Sequence, residues 1–463
     1  MSTIQEAPLD EFAWVVQPAG AQWVRQAVEA LAARQPVINR LAGALQDFTG
    51  TRLVDWVDHF ALQADVFPDL VRELNEVGYE VDARDLSVWR HERGLFPPVL
   101  IDTGSIGVAL RCESVEAGIA ALPAALGLRP VDAEQIVGRR GSFYRHVAID
   151  AHTGGELWLV ERHGYSGFEF RDADEQQIPT AARHAVALRN RQRSFGTSGA
   201  GFDHASRLFV EAAADLRVAW ACDLFFAAER SYWQSRNSAA RVQYERQQRL
   251  GLGWANHDHH TYRSSRAAFR RLIAVLEQMG FVCRERFYAG REAGWGAQVL
   301  EQPECRVVIF ADVDLSPEEV AGDFAHEPLA ERGELGTVGL WCELHGEAFL
   351  EAGMHHLEAQ FDFDAARAQL TAQGVETMAP FTDFPFLKQA FTKGEMWPVE
   401  LHRIERLLAQ GRITAEQANR FHREGALGSH LEILERNDGY KGFNQTGISE
   451  IITRTDPRRM IGA

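Results

Sequence analysis

Two histidines in this chain head similar short runs: His59 in D-H-F-A-L-Q (58–63) and His259 in D-H-H-T-Y-R (258–263). In an extended segment the side chains alternate between faces, so a histidine among apolar neighbours such as Phe60, Ala61 and Leu62 points into a packed interior. Two such histidines from paired units, joined by one carboxylate, make a 2-His-1-carboxylate triad. A triad of that kind leaves open positions on a metal, and its imidazole and carboxylate donors suit Fe(II), with other divalent metals as alternatives. The carboxylate candidate is Glu343, in G-L-W-C-E-L-H-G-E (339–347), read as a mid-strand glutamate that is costly to bury unless paired or metal-bound. Glu334 and Glu347 sit at or beyond the ends of that run. The plainer readings stay open. Either histidine alone is more often a hydrogen-bonded core residue, HDHH (257–260) reads equally as a solvated loop, and a buried Glu343 pairs as readily with an arginine. Within HDHH, His257 or His260 is an alternative to His259.

The elements around these residues repeat in order. V-D-H-F-A-L (57–62) reads as a strand, 66–81 as a helix ending at Gly78, and 97–102, 107–112 and the pair around H-T-G-G as further strands. The same strand–helix–strands order returns at 259–264, with a helix over 265–280 and strands over FVCRERFYA, GAQVLEQ and CRVVIFADV. This predicts an α+β fold built on βαβββ-like modules. Residues 1–50 form an N-terminal helical segment with Pro36 as a break, 51–177 the first module, 178–252 a helical insertion rich in Ala, Arg and Gln, 253–346 the second module, and 347–463 a mostly helical C-terminal region. The likeness between the two histidine units is one of pattern rather than letters.

Composition narrows the function classes. The net charge of −17 over 463 residues argues against nucleic acid and anionic membranes as partners but not against a small anion held in a locally basic site. The five cysteines are scattered without C-x-x-C spacing, which argues against a disulfide framework or zinc-thiolate site and fits a reducing, cytoplasmic setting. No signal-peptide pattern opens the sequence, and no apolar run is long enough to span a bilayer. Oligomeric state is not readable.

The pieces H-F-A-L-Q, H-H-T-Y-R and C-E-L-H-G, in this order, resemble the 2-oxoadipate dioxygenase/decarboxylase family, which has a vicinal-oxygen-chelate core with helical additions. The resemblance spans about residues 50–450 and rests on short motifs. It places His59 on the family's H-G-A-I-R-like strand, His259 with Arg263 on its N-H-L-T-P-R-like strand, and Glu343 on its I-E-Q-R-G-like strand. It implies a mononuclear non-haem Fe(II) dioxygenase that uses O₂ to decarboxylate a small 2-oxo acid and hydroxylate the product. Two departures fall at substrate positions. The family's carboxylate-binding arginine corresponds to Gln63, and its V-S-A-A-G-I-like loop corresponds to Q-T-G-I, with Gln445 and Thr446. Loss of a bidentate arginine is not conservative, so the expected substrate differs from 2-oxoadipate, its distal part being amino-substituted or aromatic. The alternative is that Arg111 or Arg145 replaces the missing arginine. Two further classes remain: a glyoxalase-like metal-dependent isomerase or hydrolase, and a metal-free binding protein.

Overall fold

The computed structural model describes residues 14–152, 154–169, 173–444 and 456–458. Two helices open it, α1 (Pro18–Arg34) and α2 (Val37–Thr49), and Pro36 marks the break between them as expected. The first sheet is then laid down by strands β1 (Val57–Leu62), β2 (Glu80–Asp82), β3 (Asp85–Arg90), β4 (Val99–Ile101), β5 (Gly107–Arg111), β6 (Tyr144–His152) and β7 (Gly155–Arg162). Helix α3 (Leu70–Glu76) follows β1, and α4 (Val115–Ala125) follows β5. The strand order is β2-β3-β4-β1-β5-β7-β6. Within β1–β4 the first strand lies parallel beside the last, and the same holds for β5 and β7. The stretch expected as one module therefore holds two, the second lacking one strand, joined antiparallel through β1 and β5.

Four helices follow, α5 (Gln177–Arg189), α6 (Ser198–Leu216), α7 (Val218–Ser235) and α8 (Ser238–Gln248), so the helical insertion stands where the sequence indicates it. Its long helices bury Phe202, Phe209, Phe225, Phe226 and Trp233 against the second half of the chain.

The second sheet repeats the plan more completely. Strand β8 (His257–Arg263), helix α9 (Phe269–Gln278) and strands β9 (Val282–Tyr288), β10 (Trp295–Gln302) and β11 (Val307–Asp314) form one βαβββ module. In α9 the buried Phe269, Leu272, Ile273 and Leu276 follow the three-to-four-residue spacing of a core-facing stripe. Two helices come next, α10 (Pro317–Val320) and α11 (Thr337–His345). Another module then begins, with strand β12 (His356–Gln360), helix α12 (Phe363–Ala372), strands β13 (Thr382–Phe384), β14 (Leu387–Phe391) and β15 (Glu395–Trp397), helices α13 (Leu401–Ala409) and α14 (Ala415–Glu424), and the long strand β16 (Ala426–Arg436). The order β13-β14-β16-β12-β8-β11-β10-β9 shows two modules back to back, joined antiparallel through their first strands β8 and β12. In each, the first strand pairs parallel with the last, β8 with β11 and β12 with β16.

The fold is the expected α+β arrangement of βαβββ modules with a helical insertion. Two expectations need correction. The C-terminal region holds five strands beside its helices, and one of them, β12, runs down the middle of the second sheet. The run at 336–346 is helix α11 rather than a strand. The Asp314 carboxylate accepts from the amides of Val338 at 3.0 Å and Gly339 at 2.8 Å, so it caps the helix start, and Gly346 at φ +93° ends it. Each sheet carries its own core, one centred on Trp56, Phe60 and Leu159, the other on Tyr262, Phe226 and Trp341. Among the described residues no helix is long and apolar enough to cross a membrane.

Candidate metal centre

The first strands of the two C-terminal modules lie side by side, and their histidines meet. A register shift in β8 between His257 and His260 sets the faces. His259, Thr261 and Arg263 look into a cavity on one side of the sheet. His260 turns the other way, its ring 5.5 Å from Phe226 and its Nε2 3.4 Å from Arg230 Nη1. His259 is thus the cavity-facing member of HDHH.

His259 is joined by His356 on β12 and Glu432 on β16. One ligand atom from each lies within 4.8 Å of the others, and all three residues are buried. His356 Nε2 is 2.9 Å from Glu432 Oε2, and the His259 and His356 rings are 5.9 Å apart. The His259 ring is wedged by Phe310 at 4.6 Å and by the edge of Phe443 at 5.4 Å. Its Nδ1 faces Asp258 at 3.4 Å and also the Glu358 carboxylate.

A chain of hydrogen bonds holds Glu432 in place. Gln389 Nε2 donates to Glu432 Oε1 and to Glu358 Oε1, both at 3.1 Å; the Thr382 hydroxyl donates to Gln389 Oε1 at 2.9 Å, and the Asn444 amide donates to Thr382 at 3.0 Å. Arg436 binds Asp258 through Nε at 3.0 Å and Nη2 at 3.1 Å. Burial works to raise the Asp258 carboxyl, but Arg436 and His259 overcome it and hold it well below the usual range. Glu358 and Glu432 are both pushed up, chiefly by burial, Glu358 further by the Glu432 and Asp258 charges. Burial keeps both imidazoles neutral, lowering His259 and pushing His356 down to about 3, the latter helped by Arg263.

This donor set fits a divalent metal. Neutral imidazoles are the ligating form, and a carboxylate completes the triad. Asp258, Glu358 and Glu432 are buried together. Among the described residues Arg436 pairs with Asp258, and the ion-pair partners of the two glutamates are histidines alone, so the cluster holds more carboxylates than it has cations to balance. Outer carboxylates beside ligating histidines are also what orients and tunes metal ligands.

The rest of the cavity, about 80 Å³, is walled by Phe287, Trp295, Phe310, Phe381, Phe391 and Phe443. Its polar groups beyond the triad include Arg263 and Asp312. The Arg263 Nε and Nη1 atoms are buried without a hydrogen bond, and its guanidinium lies 5.7 Å from the Trp341 ring. Burial pushes the Asp312 carboxyl up to about 8, against the pull of Arg263.

Of the described residues singled out in the sequence, the structure brings His259 and Arg263 to this cavity, whereas His59, Glu343 and Gln63 lie elsewhere. His59 is on β1 in the first sheet, its Nδ1 2.8 Å from Asp58, which is in turn bound by Arg162 at 2.8 and 2.7 Å. It packs against Phe168 and Trp158 and joins no metal-type cluster among the described residues. Glu343 lies on α11, where it pairs with Arg406 at 2.7 Å, its side chain 36% exposed. A helix turns successive residues by about 100°, so burying Trp341, Cys342 and Leu344 sends Glu343 outward. Gln63 follows β1 in the first sheet, half-buried. Gln445 and Thr446 lie outside the described residues, although the neighbouring Phe443 and Asn444 line the cavity. Arg145 is tied to Glu116 and Glu161 in the first sheet. The candidate ligands not singled out in the sequence, His356 and Glu432, carried a faint signal. G-M-H-H-L-E-A (353–359) is another histidine-headed strand before a helix, and H-L-E-I-L-E-R (430–436) places a glutamate amid apolar residues.

No family model and no curated protein matches the chain. Among solved structures it is similar to a mutant of 4-hydroxymandelate synthase from Streptomyces coelicolor, 11% identical over 88% of this chain and 99% of that one, with a TM-score of 0.28. A fusion of a xylose isomerase-like TIM barrel and 4-hydroxyphenylpyruvate dioxygenase is 12% identical over 89% of this chain and 53% of that one, TM-score 0.24. Methylmalonyl-CoA epimerase from Mycobacterium tuberculosis is 13% identical over 39% and 87%, TM-score 0.23. Likenesses this distant decide nothing about the reaction, which has to be read from the side chains.

Proposed function

We propose that the protein is a mononuclear non-haem Fe(II) oxygenase acting on a small 2-oxo acid, with His259, His356 and Glu432 as its metal ligands. The observation that carries this reading is the convergence of two neutral histidines and one carboxylate, from the central strands of one sheet, on the wall of an apolar cavity. With three protein ligands the metal keeps open positions, and when bound it supplies a site at which a 2-oxo acid chelates and O₂ is activated.

The chain's own residues have separable tasks. Arg263 offers a buried, unbonded guanidinium edge to the substrate's carboxylate. The phenylalanine wall receives an apolar body and excludes water. Gln389, Thr382 and Asn444 fix Glu432, so that the carboxylate does not reorganise as substrate enters. The narrowness of the cavity and its aromatic lining favour a compact monocarboxylic 2-oxo acid over 2-oxoadipate, whose second carboxylate finds no second free cation among the lining residues.

One observation favours a second reading. Asp312, raised to about 8, faces the same cavity and is suited to move a proton near neutral pH, as a metal-dependent isomerase requires. Oxygen consumption separates the two. The Fe(II)-reconstituted protein is expected to consume O₂ and release CO₂ with one member of a size series running from pyruvate through 2-oxobutyrate to phenylpyruvate, and to prefer it over 2-oxoadipate. Conversion of a 2-oxo or 2-hydroxy acid without O₂ uptake would instead establish the isomerase. Efficient turnover of 2-oxoadipate above all the others would overturn the substrate argument.

A further inference from the structure

A second, larger cavity of about 460 Å³ lies between the first sheet, the helical insertion and the β10–β11 turn, away from the triad. Arg111 and Arg162 reach it from β5 and β7, Arg230 from α7, and Arg306 from the turn; Tyr244 and Trp254 supply aromatic wall. Five arginines line it, Arg189 among them, against three carboxylates, Glu113, Asp223 and Glu304, and Glu304 accepts from the Ser166 hydroxyl at 3.3 Å rather than pairing with Arg306. Asp58 is bound by Arg162 at 2.7 Å and is also the nearest carboxylate to Arg111, at 3.5 Å. Arg230 comes no closer than 3.7 Å to Glu113. Among the described residues Arg306 has no ion pair at all, and its neighbours include Arg111, Arg162 and Arg90. Asp223, which also lines the cavity, is taken by His163, whose Nδ1 it binds at 3.0 Å while Glu161 binds Nε2 at 2.8 Å. An imidazole held by carboxylates on both nitrogens is a cation, so it consumes that acidity rather than adding to it.

Guanidinium atoms are left over as a result. Arg111 Nε, Arg230 Nε and Arg306 Nη2 are buried with no hydrogen-bond partner, and the Arg230 side chain is only 8% exposed. A buried donor without a partner is costly, and buried like charges without counter-charge more so. Arg306 also takes a left-handed backbone conformation, φ 56°, at a non-glycine position in the β10–β11 turn. Burial and the adjacent arginines push its pKa well down, as befits a cation in an unbalanced positive potential.

We propose that this cavity is a binding site for a small polyanion, a molecule carrying phosphate or several carboxylate groups, recognised by Arg111, Arg230 and Arg306. The guanidinium fork matches both kinds of oxyanion in bidentate fashion, and the volume is that of an ordinary small-molecule pocket. The site is separate from the metal centre and does not depend on it.

Calorimetric titration of the full-length protein with pyrophosphate and with citrate tests the assignment, with sodium chloride at matched ionic strength as control. Saturable binding of at least one is expected. The phosphate arm responding alone identifies a phosphorylated ligand, the citrate arm alone a polycarboxylate. Arg306→Gln and Arg111→Gln should each weaken binding by about tenfold or more, the loss of one charge-assisted contact. Arg306→Gln should leave the ligand-free melting temperature equal or higher, because it removes an uncompensated charge. His356→Ala, at the metal centre, should bind the anion as the wild type does. Absence of saturable binding by both anions overturns the proposal. So does binding that survives both arginine substitutions, or binding lost in His356→Ala and kept in Arg306→Gln.

Discussion

At the scale of single residues, two glutamates make opposite demands. Glu432 is 2% exposed and buried beside His356 with no cation of its own, whereas Glu343 is paired with Arg406 at the surface. Glu432→Ala should therefore abolish stoichiometric metal binding, measured by elemental analysis after Fe(II) loading and desalting. Glu343→Ala should leave metal content unchanged and cost about 0–1 kcal/mol in urea denaturation, the usual range for an exposed ion pair. The reverse outcome would restore Glu343 as the ligand. His163 gives a pH dependence with a definite sign. Burial works against its protonation, but hydrogen bonds to Asp223 and Glu161 win and raise it to about 10. The folded pKa lies above the unfolded value of about 6.5, so the stabilisation is fully present below about pH 6.5 and is lost as pH rises through about 10. Denaturation midpoints of the wild type and of His163→Gln should accordingly converge between pH 7 and pH 10; a constant gap would contradict the charged state.

At the scale of elements, α11 shows how one capping contact redirects a segment. Asp314, at the end of β11, offers both carboxylate oxygens to the first amides of the helix. Asp314→Ala should cost about 1–2 kcal/mol, the loss of an N-cap together with buried donors left unpaired. It should also raise amide exchange at Val338 and Gly339 more than elsewhere, whereas a uniform rise would show that the contact is not local. The strands carry a related lesson. β8 and β12 supply the histidines because they are the first strands of adjoining modules and pair antiparallel at the centre of the sheet, Thr261 opposite His356. β16 supplies the glutamate because it lies parallel to β12, with Glu432 level with Glu358.

At the scale of the whole molecule, the chain holds two sheets of the same plan, and among the described residues only the second assembles a buried triad of two histidines and one carboxylate. One metal per chain is the expected stoichiometry, unchanged in His59→Ala. Because Asp258, Glu358 and Glu432 are buried together, metal binding should also stabilise the fold. At a free Fe(II) concentration 100-fold above its Kd, linkage gives about 2.7 kcal/mol. Under anaerobic conditions the melting temperature should rise with Fe(II) and fall back with chelator. No shift in the wild type, or an equal shift in Glu432→Ala, would remove the triad as the binding site.

Local pattern alone determined the strand–helix–strand units and the helical insertion, while within HDHH it left His257, His259 and His260 open until the register shift in β8 set their faces. The units and the insertion each depend on the period of apolar residues within a dozen positions. The partners of His259 were beyond its reach. H-L-E-I-L-E-R, with Leu431 and Leu434 three apart, fits a helical stripe as well as a buried strand, and only pairing on both sides by β12 and β14 makes it extended. G-L-W-C-E-L-H-G has the aromatic and apolar content of a strand, yet the Asp314 cap makes it a helix and sends Glu343 to the surface. Likewise His59 and His259 share a motif, but whether such histidines converge depends on which first strands pair. β1 meets β5, where Gly107 stands opposite Ala61, and β8 meets β12, where His356 stands opposite Thr261. The sequence thus specifies the modules, while the long-range strand pairing selects the residues that reach a common point.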